Sequence, residues 1–159
     1  MTACIRAATP ADLAALTALL ASASLPVADL DGQRIHFLVA EIDAQLVGVI
    51  GVEALVPEGL LRSLAVSPAL HGSGLGRRLV QALEAHAAHH GIEHLTLLTE
   101  TAAPFFSRLG YLQQPREQVT EAIRTTSEFR ALCPASAICM HKQLDPARSA
   151  PDISAAAPR

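Results

Sequence analysis

The segment from Leu60 to Val80, LLRSLAVSPALHGSGLGRRLV, places the tightest constraint on the fold of this chain. A short apolar run suited to a strand is stopped by Ser67-Pro68. A loop with Gly72, Gly74 and Gly76 follows, and then a helical pattern opened by Arg77 and Arg78. A strand delivering a glycine loop to a helix start is built for anion capture, because the first backbone N–H groups of a helix lack partners and carry the positive end of its dipole. Glycines let successive amides converge on one concavity. Two common phosphate loops are excluded. No Lys follows the glycines as in G-x-x-x-x-G-K-[ST], and Arg77 stands where G-x-G-x-x-G needs its third Gly.

Composition narrows the partners. With 159 residues, half of them apolar and only 17% charged, the chain suits one compact domain with a real core. A net charge of -3 argues against nucleic acid, which demands a clustered excess of basic groups. Lys142 is the only lysine, and the other basic residues are arginines, whose planar fork suits carboxylate and phosphate. Cys4, Cys133 and Cys139 are odd in number and widely spaced, which fits neither a disulfide framework nor a zinc knuckle and points to a reducing cytoplasm. The run Leu13 to Ala23 imitates a signal peptide, but Pro10 and Asp12 suit a capped helix better, and no run is long enough to span a membrane.

Along the chain, Thr2 to Ala8 reads as a first strand. Thr9-Pro10-Ala11-Asp12 is a capping box before a helix carrying Leu13, Leu16 and Leu20. A short helix is expected over Pro26 to Gln33. His36 to Ile42 and Leu46 to Val56 form a hairpin around Asp43-Ala44-Gln45, and Pro57-Glu58-Gly59 turns the chain into strand Leu60 to Val66. A long helix runs from Gly74 to His90, with Leu75, Leu79, Leu83 and Ala87 on one face and Gly91 ending it. Leu95 to Thr99 is a strand, Ala102 to Leu109 a short helix, Glu121 to Leu132 a further helix and Ala137 to Leu144 the last strand. From Asp145 the chain is rich in Pro, Ala and Ser and reads as a disordered tail.

His71-Gly72-Ser73-Gly74-Leu75-Gly76 after LAVSP resembles the [QR]-x-x-G-x-[GA] loop of the GNAT acetyltransferases, with His71 in place of Gln or Arg. The segment from Thr101 to Tyr111, TAAPFFSRLGY, resembles the A-x-x-x-Y-x-x-x-G-[FY] segment of that family, and the order of elements agrees. The resemblance implies an α/β (α+β) GNAT fold over residues 1–144, followed by the tail 145–159. Its mixed sheet would have about six or seven strands, splayed between the fourth and fifth, with helices on both faces. ADLDGQRIHFLVAE, LLRSLAVSP, LTLLTETAAPFFSRLGY and TTSEFRALCPASAICM are similar to the small acetyltransferases of bacterial arsenic-resistance operons. The LLT-to-LGY segment also resembles the acetyltransferase domain of N-acetylglutamate synthases.

The resemblance further implies acetyl-CoA as co-substrate, with its pyrophosphate on His71, Gly72, Ser73, Gly74, Leu75, Gly76 and Arg77. Its pantetheine arm would lie along Leu64, Ala65 and Val66, with an oxyanion donor in the Leu64 amide, and Thr99 and Phe106 complete the cofactor set. Phe106 occupies the position of a thiolate-protonating tyrosine and has no proton to give. The alternatives are unassisted or water-mediated departure, Ser107 or Tyr111 as the acid, or binding without turnover. Glu53 is the first choice of general base and Glu100 the second. Of Arg62 and Ser63, strand alternation lets only one face the substrate. Buried, inert cysteines are favoured over an arsenite trap, and a solvated helix end over a metal site for His86, His89, His90 and His94. The expected function is N-acetylation of a small, amino-acid-like amine, with a role in resistance to a toxic analogue such as an organoarsenical and a homodimer as further expectations. A silent acyl-CoA-binding regulatory module is the alternative.

Overall fold

The computed structural model describes residues 2–28, 30, 35–132 and 136–145, the side chains of 131 and 132 excepted. Seven strands form one sheet: β1 (Cys4–Ala7), β2 (Ile35–Ile42), β3 (Gln45–Leu55), β4 (Glu58–Val66), β5 (His94–Thr99), β6 (Leu112–Gln113) and β7 (Ile138–Gln143). Their order is β1-β2-β3-β4-β5-β7-β6, antiparallel everywhere except between β4 and β5. Among the described residues, four α-helices cover the sheet: α1 (Leu13–Ser22), α2 (Leu75–His89), α3 (Ala103–Arg108) and α4 (Glu121–Arg124). This is the mixed, splayed sheet expected from the sequence.

The two faces bury separate cores. On one face, Leu75, Leu79 and Leu83 of α2 pack on Leu38, Ile50, Val52, Leu61, Leu95 and Leu97. Gly48 sets the closeness of that contact, because a Cβ there would stand 2.9 Å from Leu79 Cδ1. On the other face, Leu16 and Leu20 of α1 pack on Val39, Val49 and Ala65, while Ile123 of α4 meets Leu60 and Cys139. Truncating Leu79 or Leu83 would cost about 2–5 kcal/mol, the usual range for a buried leucine.

Local chemistry explains the punctuation. Asp12 accepts from the Thr9 backbone N–H at 2.7 Å and from both terminal guanidinium nitrogens of Arg6, which also pairs with Glu41. These contacts close the capping box and tie it to β1 and β2. The β2–β3 hairpin turns on Asp43 and Ala44, both at positive φ. Gly91 (φ 89°) ends α2 where expected. Near the far edge Tyr111 is buried, its hydroxyl donating to Glu84 Oε2 at 2.8 Å, and Lys142 donates to both Glu84 oxygens and the Leu109 carbonyl.

Some expectations change. The helix expected over Glu121 to Leu132 divides into α4 and a π-helical turn, Glu128–Leu132. Between them the Thr126 hydroxyl donates to the Ile123 carbonyl and accepts from the Phe129 N–H, so a side chain competes with the helical ladder. Residues 26–28 and 30 of the helix expected over Pro26 to Gln33 are not helical, and the remainder of that segment lies outside the described residues. The two-residue β6 was not anticipated. The tail expected from 145 lies, beyond Asp145, outside the described residues. No helix among the described residues is long and apolar enough to cross a membrane.

Candidate active site

The sheet opens where the sequence placed its signal. β4 and β5 pair in parallel only through Glu58–Leu60 against His94–Thr96. Beyond Leu60 the strands part, and a cavity of about 660 Å³ occupies the gap. Leu61 to Leu64 of β4 form one wall and Leu97 to Ala102 with Phe106 the other. The segment Ala23 to Pro26 after α1 lies over it, and Glu128 and Ala137 also line it.

β4 is irregular at this wall. Its register with β3 jumps from Val49 opposite Ala65 to Gly51 opposite Arg62, so Ser63 and Leu64 share the space facing Ile50 alone. This is a bulge. Ser63 sits at φ 62°, in the left-handed region that costs a side-chain-bearing residue about 1–2 kcal/mol. The bulge breaks strand alternation, and both Arg62 and Ser63 line the cavity, where alternation allowed only one. Among the described residues, the edge of β4 that faces β5 has no ladder partner beyond Leu60 and lies open to a guest. Such donors at a dry site stabilise developing negative charge.

The Arg62 side chain is completely buried. Its Nε donates to Ser63 Oγ at 3.2 Å, its Nη1 lies 3.4 Å from Glu53 Oε1, and Nε lies 3.7 Å from Glu128 Oε1. A substrate carboxylate would therefore have to compete with two internal ones. Glu53, the first choice of base, is held in this ion pair and is not among the cavity-lining residues, whereas Glu100 is exposed and lines the cavity. The sequence reading missed Glu128. It is a buried carboxylate from a segment distant in sequence, and nothing in its immediate neighbours sets it apart from a surface glutamate.

The glycine loop forms the expected helix start. Pro68–Leu70 makes one 3₁₀ turn after β4, and Gly72 (φ 82°) and Gly74 (φ 88°) then bend the chain into α2. A Cβ at either glycine would meet nothing within 4 Å, so the space before the turn is open. Among the described residues the N–H groups of Gly72, Gly74, Gly76 and Arg77 have no backbone acceptor, while Ser73 N–H donates to Leu70 O and Ser73 Oγ accepts weakly from Leu75 N–H. The open volume and unspent donors fit a diphosphate. His71 Nε2 donates to the Val66 carbonyl at 2.9 Å, so its ring fastens the loop to the end of β4. Leu75 faces the core, leaving only its backbone for an anion.

On the β5 side, Thr99 Oγ1 accepts from Ala102 N–H at 2.9 Å and so fixes the entry to α3. Phe106 is buried in the cavity wall, edge-on to Phe105 and Tyr111. Neither substitute acid lines the cavity: Ser107 is exposed elsewhere, and the Tyr111 hydroxyl is spent on Glu84, with burial pushing its ionisation well above the usual phenol range.

The cysteines do not converge. Cys4 is exposed on β1, against expectation, and Cys139 is buried on β7, its thiol pushed up by desolvation. Five strand steps separate β1 from β7, about 24 Å at the usual spacing. Cys133 lies outside the described residues. His86 stacks on His90 at 4.2 Å, and His94 bridges Glu58 and His141. Among the described residues no group of three or more His, Cys, Asp or Glu is placed to hold a metal ion.

A splayed mixed sheet with a helix start at the mouth of the splay has the architecture of the GNAT acetyltransferases. A family model described as an acetyltransferase (GNAT) domain matches residues 33–113, and the chain belongs to this family. It is 32% identical over 88 residues to the uncharacterized N-acetyltransferase CT2212 of Chlorobaculum tepidum, covering 55% of this chain and 56% of that protein. Rv2747 from Mycobacterium tuberculosis, solved in complex with CoA, superposes with a TM-score of 0.75 at 25% identity, over 89% of this chain and 99% of that one. N-acetylglutamate synthase from Neisseria gonorrhoeae, complexed with coenzyme A and N-acetyl-glutamate, shares the fold with a TM-score of 0.78 at 21% identity, over 91% of this chain. The chain spans about half the length of the curated relative and 36% of the synthase.

Proposed function

We propose that the protein is an acetyl-CoA-dependent N-acetyltransferase that acts on the amine of a small, amino-acid-like acceptor. The observation that carries this reading is the conjunction of the β4 edge beyond Leu60, bulged at Ser63 and Leu64 and left without a partner where β5 departs, with the unspent N–H groups of Gly72, Gly74, Gly76 and Arg77 after the same strand. Acetyl-CoA supplies an activated acyl group whose carbonyl oxygen gains negative charge as an amine attacks. The backbone N–H groups of Gly72, Gly74, Gly76 and Arg77 would hold the diphosphate, and the edge of β4 from Leu64 to Val66 the arm, as an added strand is held. The Leu64 amide would donate to the oxyanion. Glu100 at the cavity would take the proton of the acceptor ammonium, directly or through one water. A thiolate of ordinary basicity can leave without an acid, consistent with the phenylalanine at position 106.

Support for the acceptor class comes from similarity to a synthase solved with N-acetyl-glutamate and from the sequence resemblance to arsenic-operon acetyltransferases. A role in neutralising a toxic amino-acid analogue follows the same line. Phe106 and the engaged Tyr111 hydroxyl favour one second reading, an acyl-CoA-binding module without turnover. A thiol-release assay with acetyl-CoA over a panel of amino acids, glutamate analogues and simple amines separates the two. Turnover on at least one amine is expected. Tight CoA binding by calorimetry with no free thiol for any amine would establish the silent module instead.

A further inference from the structure

We propose that Arg62, clamped by Glu53 and Glu128, is a positioning residue that holds the Ser63–Leu64 bulge in its working shape. The inference rests on the acetyltransferase reading and supplies a cause for geometry on which that reading depends. A mid-strand bulge with a serine at φ 62° does not hold itself, because that conformation is unfavourable for a residue with a Cβ. In the register to β3, Ser63 and Leu64 share the place opposite Ile50, and β5 has already left β4 at Leu60.

The Arg62 guanidinium reaches the bulge. Arg62 Nε donates to Ser63 Oγ at 3.2 Å, while Nη1 and Nε lie 3.4 Å from Glu53 and 3.7 Å from Glu128. A planar fork with five donors can serve a hydroxyl and two carboxylates at once, which a lysine ammonium could not do in the same geometry. The arginine side chain is wholly shielded from water and that of Glu128 nearly so, so these attractions act in a weakly screening medium. Glu53 comes from β3 and Glu128 from the π-helical turn before β7, so three separate segments are fixed against one another at the bulge. If the clamp is loosened, Ser63 relaxes toward extended backbone and the Leu64 amide turns from the cavity. That loss falls on the transition state, where the oxyanion exists, and not on cofactor capture at the glycine loop.

The decisive variants are Glu128→Gln, Ser63→Gly and their combination. Glu128→Gln preserves volume, and a thermal melt checks that the fold is kept. Its kcat is expected to fall roughly 10- to 100-fold with CoA affinity unchanged, as for a weakened oxyanion donor. In the double variant, glycine adopts the left-handed conformation without help and recovers a large part of kcat, a rescue that a merely stabilising ion pair would not show. A crystal structure of Glu128→Gln should show Ser63 out of the left-handed region. The proposal is overturned if Glu128→Gln keeps its kcat with Ser63 in place, or if its loss lies in KM alone and Ser63→Gly recovers nothing, which would make Glu128 an acceptor contact. If the parent neither binds CoA nor releases thiol, the acetyltransferase reading fails, and Ser63 in the Glu128→Gln crystal structure still decides whether the clamp exists.

Discussion

Gly74→Val probes the diphosphate cradle with two separable effects. Gly74 stands at φ 88°, ψ 2° at the start of α2. A residue with a Cβ pays about 1–2 kcal/mol for a left-handed conformation, and a β-branched one belongs at the upper end. At about 2–4 °C per kcal/mol for a domain of this size, the melting temperature should fall by about 4–8 °C. No steric cost adds to this, because a Cβ here meets nothing within 4 Å. That open volume is where the proposed diphosphate sits, and valine methyl groups would occupy it. Losing one hydrogen bond to a charged group costs about 1.5–3 kcal/mol, which weakens CoA binding by about 10- to 150-fold. Calorimetry with CoA measures the loss. Turnover of S-acetyl-pantetheine, which lacks the diphosphate, should be unaffected and controls for the fold. A variant that melts lower as expected yet binds CoA as the parent does would show that the glycine loop is not the anion site.

Three further outcomes are expected. Asp12 is held well below the usual carboxylate range, first by the Arg6 guanidinium and then by the Thr9 N–H, so its folded value lies under the ordinary 3.8. Its contribution is therefore complete above about pH 4 and is lost as the pH falls toward the folded value. Asp12→Asn should be less stable by about 1 kcal/mol at neutral pH, discounted for the part-exposed arginine, and denaturant melts of parent and variant should draw steadily together as the pH falls from about 4 toward the folded value, with no such trend above about pH 5. Tyr111→Phe should lose about 1 kcal/mol of stability with kcat unchanged; a large fall in kcat would reinstate this hydroxyl as the acid. Glu100→Gln should lower kcat by about 100-fold in the thiol-release assay, and an unchanged kcat would place the base elsewhere.

What could be read from the residues alone was what local physics decides. The four-residue spacing of Leu75, Leu79 and Leu83 specifies a helix buried on one face, and Leu79 and Leu83 are wholly enclosed. Thr9 to Asp12 and Gly91 mark helix ends because their chemistry acts within one turn. The glycine loop was legible for the same reason. The bulge was not, since its strained residue is a serine and its cause lies in partners on β3 and before β7. Arg62 stands in the sequence as one of two candidates to face a substrate, but its carboxylate partners come from elsewhere in the chain, and only folding shows that it faces inward to Glu53 and Glu128. The helix expected over Glu121 to Leu132 failed on one hydroxyl, that of Thr126, which periodicity does not weigh.

Lys142, the chain's single lysine, has its ammonium engaged by both oxygens of Glu84 and the carbonyl of Leu109, with the Tyr111 ring 5.4 Å away. An amine must shed a proton and turn a lone pair outward before it can attack a thioester, and here that would break three hydrogen bonds together. Eleven of the twelve basic side chains are arginines, whose guanidinium stays protonated and inert toward acyl donors. For the acetyl transfer proposed above, the one lysine of the chain is thereby withheld as a competitor of the acceptor amine.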